Sequence, residues 1–391
     1  MIEYAYYNPE ILKWARERVG YSIEDAAQKL CIKNPNKLAQ AEQNGAKLTV
    51  NQLNNAAKKY SLPVPYFYLD TIPNIERKQT QSFRLNTDDD FAYTPEINKA
   101  LIWAQDVRDD ALWLAEEGHM NLPEFQWKIS SKANIAKSAL NIREALDAGQ
   151  TRHMKIEQAL KWWKSAVEST GVLVFETEHH QKFRPSGAAI YFNHAPVILL
   201  NGEEQYARKK LFTLMHEFSH LLIGDSSLDE FQIKINQSDA IEKRCNNLAR
   251  QLLLPDEILY QAYNETSEDK SILSRIEHIS RDYGVSRFVV VLALREKNMI
   301  SLKVFRTLYK KLDDDFARYQ KSIAIQRAAR KSSGGPPPPV KKSKKLGGQY
   351  SRAVLSALWS GDLKQNQAVR MLDNLKVIHF EKFSERVFSK N

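Results

Sequence analysis

Apolar and polar positions follow the helical period over most of the chain. Apolar residues three and four apart recur in residues 11–19, 97–114, 133–147, 152–169, 205–223 and 271–330, which predicts helices there. Short apolar runs rich in β-branched residues occupy 171–175, 187–192 and 196–200 and predict three strands. The pattern therefore favours an α+β protein that is mainly helical, with a small antiparallel sheet.

The first ~65 residues predict an all-α bundle of short helices. Ser22 and Thr49 each precede an apolar run as helix N-caps, with Asp25 and Gln52 three residues further on as capping-box partners. Pro35 stands at the first position of another helix, where its missing N–H is not needed. These local signals place the helix ends before any tertiary contact is considered.

A set of apolar, small and charged residues recurs through these helices: Leu12, Arg16, Gly20, Ala26, Leu30, Leu38, Glu42, Gly45, Leu53 and Tyr60. Together they resemble an XRE-type helix-turn-helix domain, in which the third helix lies in the major groove of DNA. The resemblance implies four groove-facing candidates, Asn36, Lys37, Gln40 and Gln43. DNA is therefore one expected partner.

Two features favour the alternative that this domain serves dimerisation or packing. Helix-turn-helix domains often carry a phosphate-binding glutamine at the start of the second helix, whereas Ile23 and Glu24 stand there in this chain. The net charge of the domain is only +3, from nine basic and six acidic residues. A weakly basic surface attracts DNA less strongly than a strongly basic one. Both interpretations remain open at the level of sequence.

One heptapeptide, residues 214–220, carries the clearest chemical signal. It reads H-E-x-x-H inside a predicted helix, so His216 and His220 lie one above the other on one face. Two neutral imidazoles suit Zn²⁺, and Glu217 between them suits a base that takes a proton from activated water. The alternative is a core helix that carries two histidines by chance. The apolar residues around the motif fit a buried helix in either case.

A catalytic zinc site needs a third protein ligand. A later predicted helix, which Pro255 ends, presents Glu242 and Cys245 on one face, and either could reach the metal. Cys245 is equally suited to be a small buried core residue. The spacing of the residues leaves both possibilities open.

The two segments share a longer set of residues: Phe212, Thr213, His216, Glu217 and His220, then Glu242, Asn246, Ala249, Leu252, Leu253 and Pro255. This set resembles the ImmA/IrrE family of zinc metallopeptidases, whose members commonly join an XRE-type domain to the peptidase domain. The resemblance implies Zn²⁺ as the cofactor, His216, His220 and Glu242 as its ligands and Glu217 as the catalytic base. It also implies that Cys245 is a packing residue.

By this resemblance we expect a zinc-dependent endopeptidase that cleaves a regulatory, repressor-type protein and so controls transcription or a stress response. The alternative is a DNA-binding transcriptional regulator, or an antitoxin of a toxin–antitoxin pair, in which the peptidase fold is a sensor or scaffold. The expected protein partner is accordingly a repressor or a toxin. A purely structural zinc site is a third interpretation, but such a site has no use for Glu217.

Composition suggests how the chain divides. A run of glycine, proline and lysine near residue 335 predicts an extended linker. The expected parts are a helix-turn-helix domain at 1–68, a connector at 69–93, a metallopeptidase domain at 94–330, the linker at 331–348 and a small helical C-terminal module at 349–391.

The net charge of +10 is unevenly distributed. Residues 301–391 hold 20 Lys/Arg against 7 Asp/Glu, whereas the first 300 residues have a net charge of −3. A basic C-terminal segment suits nucleic acid or an acidic partner, or is simply a solvated tail. Only two cysteines, a start without a secretory pattern and the lack of a long apolar run predict a cytoplasmic protein with no membrane partner.

Overall fold

The computed structural model of the chain describes residues 3–73, 82–83, 94–177, 186–204, 206–224, 239–265, 271–330 and 336–389. These residues form two compact units. The first contains the described residues of 3–109 except 82–83, and the second contains residues 82–83 and those from 110 onward. Most of the predicted connector, 69–93, lies outside the described residues.

The first unit is an all-α bundle, as the pattern predicts. Its helices are α1 (Pro9–Val19), α2 (Ile23–Lys29), α3 (Pro35–Asn44) and α4 (Val50–Lys59), followed by a 3₁₀ turn at Val64–Tyr68. Both predicted N-caps are confirmed, since the Ser22 hydroxyl accepts a hydrogen bond from the backbone of Asp25 and Thr49 shares a capping box with Gln52. The predicted box at Ser22 is not complete, because the Asp25 carboxylate accepts from the Ser22 hydroxyl and not from its backbone N–H. Local side-chain chemistry therefore sets these helix ends.

A buried ion pair ties α1 to α3 in this bundle. The Nε atom of Arg16 donates to Oε1 of Glu42 at 2.8 Å, and a terminal nitrogen donates to Oε2 at 2.9 Å. The other terminal nitrogen of Arg16 donates to the carbonyl of Tyr21 at 2.7 Å, at the start of the α1–α2 turn. Both charged side chains are almost fully buried and their polar atoms are occupied, so the pair fixes how the helices pack.

A long helix, α5 (Pro95–Glu116), follows, and the division between the two units falls within it. In the described ranges, the second unit contains eight further helices before residue 331. Their bounds are α6 (Ile135–Ala145), α7 (Ile156–Glu168), α8 (Ala207–Ile223), α9 (Asp239–Leu253), α10 (Asp256–Glu265), α11 (Ile272–Asp282), α12 (Arg287–Glu296) and α13 (Leu302–Arg330). The predicted mainly helical α+β fold is confirmed. Among the described helices, each is too short or too polar to cross a lipid bilayer.

The sheet of the second unit has the strand order β1–β3–β4–β2. Its strands are β1 (Ser82–Phe83), β2 (Leu173–Glu176), β3 (Gly187–Ile190) and β4 (Val197–Leu200). Strand β3 is antiparallel to β1 and β4, but β2 is parallel to β4, so the prediction of a wholly antiparallel sheet is wrong. Along the chain, β2, β3 and β4 alternate in direction, so β2 and β4 run the same way. Because β4 lies between β2 and β3 in the sheet, β2 and β4 are neighbours and pair in parallel.

The C-terminal helices are α14 (Pro338–Leu346), α15 (Gly348–Ser360), α16 (Gln365–Met371) and α17 (Phe380–Phe388). Helix α14 corrects the prediction that this stretch is part of an extended linker. Prolines fit its first turn because that turn needs no N–H donors. Lys342 and Lys345 both form ion pairs with Asp373, and Leu346 is fully buried.

Helix α14 also covers the outer edge of the sheet, because it packs against β2. At its end, Gly347 has a φ of +73°, and a Cβ atom there would lie 3.1 Å from the carbonyl oxygen of Val174. The ring of Tyr350 then meets Phe175 edge to face, with centroids 5.8 Å apart. The C-terminal segment is therefore part of the same packed unit as the strands.

Candidate metal centre

Helix α8 forms the centre of the second unit. It packs against α7 and α9 and against strands β3 and β4, so all of residues 213–222 are buried. His216 and Glu217 are fully buried, and His220 is 2% exposed. The helical period puts the two imidazoles on the same face, where their Nε2 atoms lie 3.0 Å apart.

Helix α9 brings a carboxylate to these imidazoles. One carboxylate oxygen of Glu242 lies 3.4 Å from Nε2 of His216, and the other lies 3.2 Å from Nε2 of His220. Three side chains from two helices therefore offer ligand atoms that all lie within 4.8 Å of one another. The structure brings together the three residues that the sequence analysis named as metal ligands.

The spacing of these atoms suits a small cation. Two ligand atoms that are each about 2.0–2.1 Å from a tetrahedral zinc lie about 3.3 Å apart. The two Nε2 atoms are 3.0 Å apart, and the nearest carboxylate oxygens of Glu242, a different one for each ring, lie 3.4 Å from His216 and 3.2 Å from His220. Two imidazoles and one carboxylate also form a ligand set of hydrolytic zinc sites. The side chain of Glu242 is 35% exposed, so the group is open to solvent on the carboxylate side and closed on the imidazole side.

The electrostatics of the group favour positive charge at its centre. Hydrogen bonds from His216 and then His220 hold the pKa of Glu242 well below its usual range, although burial opposes this shift. Burial lowers the pKa of His220, but hydrogen bonds with Cys245 and Glu242 outweigh it and raise the pKa to about 10. The anionic carboxylate of Glu242 therefore faces the two imidazole rings, and the three side chains together favour a shared cation, either a proton or a metal ion.

Glu217 lies against strand β3. A Cβ atom on Gly187 would lie 2.6 Å from Cγ2 of Thr213, 2.9 Å from Cγ of Glu217 and 3.1 Å from its Oε1. Only glycine leaves room for these two side chains at the first position of the strand. The close approach of Gly187 limits the space open to the Glu217 side chain, and the charge of Glu217 contributes to the raised pKa of His220.

Two further residues contact His220: Tyr191, and Cys245, which the sequence left open as a metal ligand or a core residue. The hydroxyl of Tyr191, just after β3, donates to the backbone carbonyl of His220, and burial raises the pKa of this phenol. The Sγ atom of Cys245 lies 3.5 Å from Nδ1 of His220, the ring nitrogen that faces away from Glu242. Cys245 therefore stands behind the ring and is not among the candidate metal ligands. Glu242 and Cys245 share one face of α9, so helical spacing alone does not show which of them is the ligand.

The candidate DNA contacts lie in the first unit, on α3. Asn36, Lys37, Gln40 and Gln43 are all exposed and share one face of the helix, opposite the buried Leu38. The arrangement leaves these polar side chains available to a partner.

Residues 167–295 match the model of the Peptidase_M78 family, described as the IrrE N-terminal-like domain. This range is about a third of the chain and contains His216, Glu217, His220 and Glu242. The match supports a relationship to metallopeptidases of the ImmA/IrrE type over these residues, and that family implies a metal ion. A comparison with curated proteins finds no match.

Proposed function

We propose that the chain is a zinc-dependent endopeptidase of the ImmA/IrrE type. The observation that carries this proposal is the group of His216, His220 and Glu242, whose ligand atoms all lie within 4.8 Å of one another, with Glu217 on the helix of the two histidines. The match to the Peptidase_M78 family supports it independently of the geometry. The open carboxylate side gives a substrate access to the ion, which a purely structural site does not need.

The chemistry follows from the positions of the side chains. A bound Zn²⁺ ion lowers the pKa of water towards neutrality and polarises a peptide carbonyl. Nε2 of each histidine and the carboxylate of Glu242 would hold the ion. The carboxylate of Glu217 would accept a proton from the attacking water and donate it to the leaving amine. The contact with Gly187 keeps that carboxylate oriented for both transfers.

For the biological role, we propose that the substrate is a regulatory protein of the repressor type and that its cleavage controls transcription. A second candidate is a DNA-binding regulator or antitoxin, with a repressor or toxin as partner, and a specific observation favours it. The polar face of α3 is exposed in a bundle that resembles an XRE-type domain. Both roles place the protein in the cytoplasm.

The test of the peptidase proposal uses the full chain loaded with zinc. Purified protein should bind one Zn²⁺ per chain and cleave members of a proteome-derived peptide library, detected as new termini by mass spectrometry. Glu217→Gln should retain the zinc and reduce cleavage at least about a thousandfold, because it removes the proposed base. Glu257→Gln, which changes an exposed glutamate on α10, is the matched control.

Two results contradict the proposal. One is a chain that binds no stoichiometric zinc, and the other is a Glu217→Gln variant that cleaves as fast as the wild type.

The DNA-binding candidate is tested on the same full-length protein. Duplexes selected from a random pool should bind with an affinity that falls as salt rises. Replacing Lys37 and Gln40 by alanine should weaken binding at least tenfold, because these side chains lie on the exposed face of α3. Replacing Lys58, on α4, is the control for a general loss of positive charge. If the α3 variant binds DNA as tightly as the Lys58 variant, α3 is not the DNA-binding surface.

A further inference from the structure

Cys245 makes an unusual contact, because its thiol lies against the ring of a candidate metal ligand, His220. Cys245 is fully buried and lies one helical turn after Glu242 on α9. Its Sγ atom is 3.5 Å from Nδ1 of His220, on the far side of the ring from the carboxylate. One helix therefore contacts both nitrogens of the same imidazole, one through Glu242 and one through Cys245.

The chemistry of a neutral imidazole explains why this contact matters. Such a ring carries one N–H, and a metal ion takes the lone pair of the other nitrogen. When Nε2 of His220 faces the ion, the proton must be on Nδ1 and needs an acceptor. Sγ of Cys245 occupies that position, and sulfur accepts hydrogen bonds weakly. The nearby hydroxyl of Tyr191 is directed to the backbone carbonyl of His220 and so holds the helix rather than the ring.

We propose that Cys245 is a positioning residue for His220. Its sulfur accepts the hydrogen bond from Nδ1–H, which fixes the tautomer and the orientation of the ring so that Nε2 faces His216 and Glu242. This assignment rests on the proposed function, since it concerns how the chain prepares a zinc ligand. It also changes the role that the family resemblance implies for Cys245, from packing alone to packing and orientation.

Packing and hydrogen bonding by Cys245 predict opposite orders for two substitutions, alanine and serine. A residue that only fills space in the contact between α8 and α9 is replaced better by alanine than by serine, because serine buries a hydroxyl there. A residue that accepts a hydrogen bond is replaced better by serine, which keeps an acceptor. The order of the two variants therefore separates orientation from packing.

The experiment measures zinc affinity of the full chain by competition with a chromophoric chelator, so it does not depend on activity. Cys245→Ala should weaken zinc binding about tenfold, the lower end for loss of a partner that orients a ligand. Cys245→Ser should recover affinity to within about threefold of the wild type. Cys31→Ala, which removes the exposed cysteine of the first unit, should have no effect. Thermal melting of the zinc-free variants checks that they fold.

Three results would overturn the assignment. One is zinc binding to Cys245→Ala that is as tight as to the wild type, and another is a loss of affinity in Cys245→Ser that is as large as in Cys245→Ala. A thiolate-to-cobalt charge-transfer band in the Co²⁺-loaded wild type that Cys245→Ala removes would make Cys245 a direct ligand instead. A wild-type chain that binds no zinc overturns the proposed function as well, whereas unchanged affinity in Cys245→Ala overturns only the positioning role.

Discussion

Glu42 in the first unit and Glu242 in the second are carboxylates that face nitrogen donors in a largely buried setting. Glu42 pairs with one arginine, Arg16. The three guanidinium nitrogens of Arg16 all donate to acceptors within the protein, so the pair leaves no position for a shared ion. Glu242 is met by two imidazoles from a different helix, each presenting Nε2 to a common point. The arginine cannot lose its proton, but an imidazole can exchange a proton for a metal ion.

The difference shows how a carboxylate beside nitrogen donors can serve either packing or ion binding. The pair of Arg16 and Glu42 is complete without any added group, so its effect is on the stability and packing of the bundle. By the proposed function, the group around Glu242 is complete only when a cation lies between its three side chains. A carboxylate that is 35% exposed also keeps that cation within reach of solvent. Four substitutions test this contrast, from the largest expected effect to the smallest.

The largest effect is expected from Glu242→Ala. Loss of the only carboxylate among the three candidate ligands should reduce zinc affinity at least about a thousandfold, because two imidazoles on one helix remain. The measurement is chelator competition, with zinc content after dialysis as a second readout. Glu257→Ala is the matched control on the next helix. If Glu242→Ala retains wild-type affinity, the ligand assignment is wrong.

Glu42→Ala should reduce the free energy of unfolding of the first unit by about 3–5 kcal/mol, since it leaves the Arg16 guanidinium buried without its carboxylate. Glu17→Ala is the control, because this carboxylate also contacts Arg16 but is 53% exposed and should matter by less than about 1 kcal/mol. Urea unfolding of the full chain, followed by hydrogen exchange of α1 and α3, gives both values. Equal destabilisation by the two variants would contradict the comparison.

Gly187→Ala should lower kcat about ten- to a hundredfold while zinc affinity stays within about threefold, because the new methyl displaces the base and not the ligands. Thr213→Ser removes the nearest methyl group, so adding it to Gly187→Ala should restore part of the activity. Gly149→Ala is the control, since a Cβ atom there meets nothing within 4 Å. A loss of zinc that parallels the loss of activity would refute the explanation.

The smallest effect concerns another buried carboxylate, Glu168 at the end of α7. Burial raises its pKa from 4.5 to about 7, although Lys164 and Arg352 lower it. The folded protein therefore holds this proton more tightly than the unfolded chain does, so stability falls as pH rises from about 4.5 to 7 and is then level. Glu168→Gln mimics the protonated form. It should flatten this part of the curve and add about 1–3 kcal/mol at pH 8.

Urea unfolding at several pH values between 5 and 8 measures this difference. Glu157→Gln, an exposed position on the same helix, should leave the slope unchanged. A Glu168→Gln variant that follows the wild-type curve would show that Glu168 is ionised in the folded protein at neutral pH.

How much of the candidate site can be inferred from sequence depends on the distance along the chain. The helical period is enough to place His216 and His220 on one face, and Glu217 follows from the same seven residues. The next helix is different, because Glu242 and Cys245 share a face and spacing alone allows either to be a ligand. The family resemblance favoured Glu242, and the structure puts Cys245 on the other side of the His220 ring.

Long-range contacts account for what the local pattern missed. The apolar runs predict strands, but nothing in them says that β4 lies between β2 and β3. Gly187 looks like an ordinary strand residue until Thr213 and Glu217 are seen against it. Likewise, the prolines and lysines before Leu346 have the composition of a linker. They form a helix because two of the lysines pair with Asp373 and the helix packs against the edge strand β2.

The cover that α14 gives to β2 has a consequence for how the protein is made. About 160 residues separate Glu176 from Pro338, which a ribosome adds in about 10–30 s at about 5–20 residues per second. During that interval the outer edge of β2 lacks its natural cover and can template pairing with strands of other chains. The order of synthesis thus leaves the growing chain dependent on its last helices, and a chain that stops before Pro338 keeps that edge open.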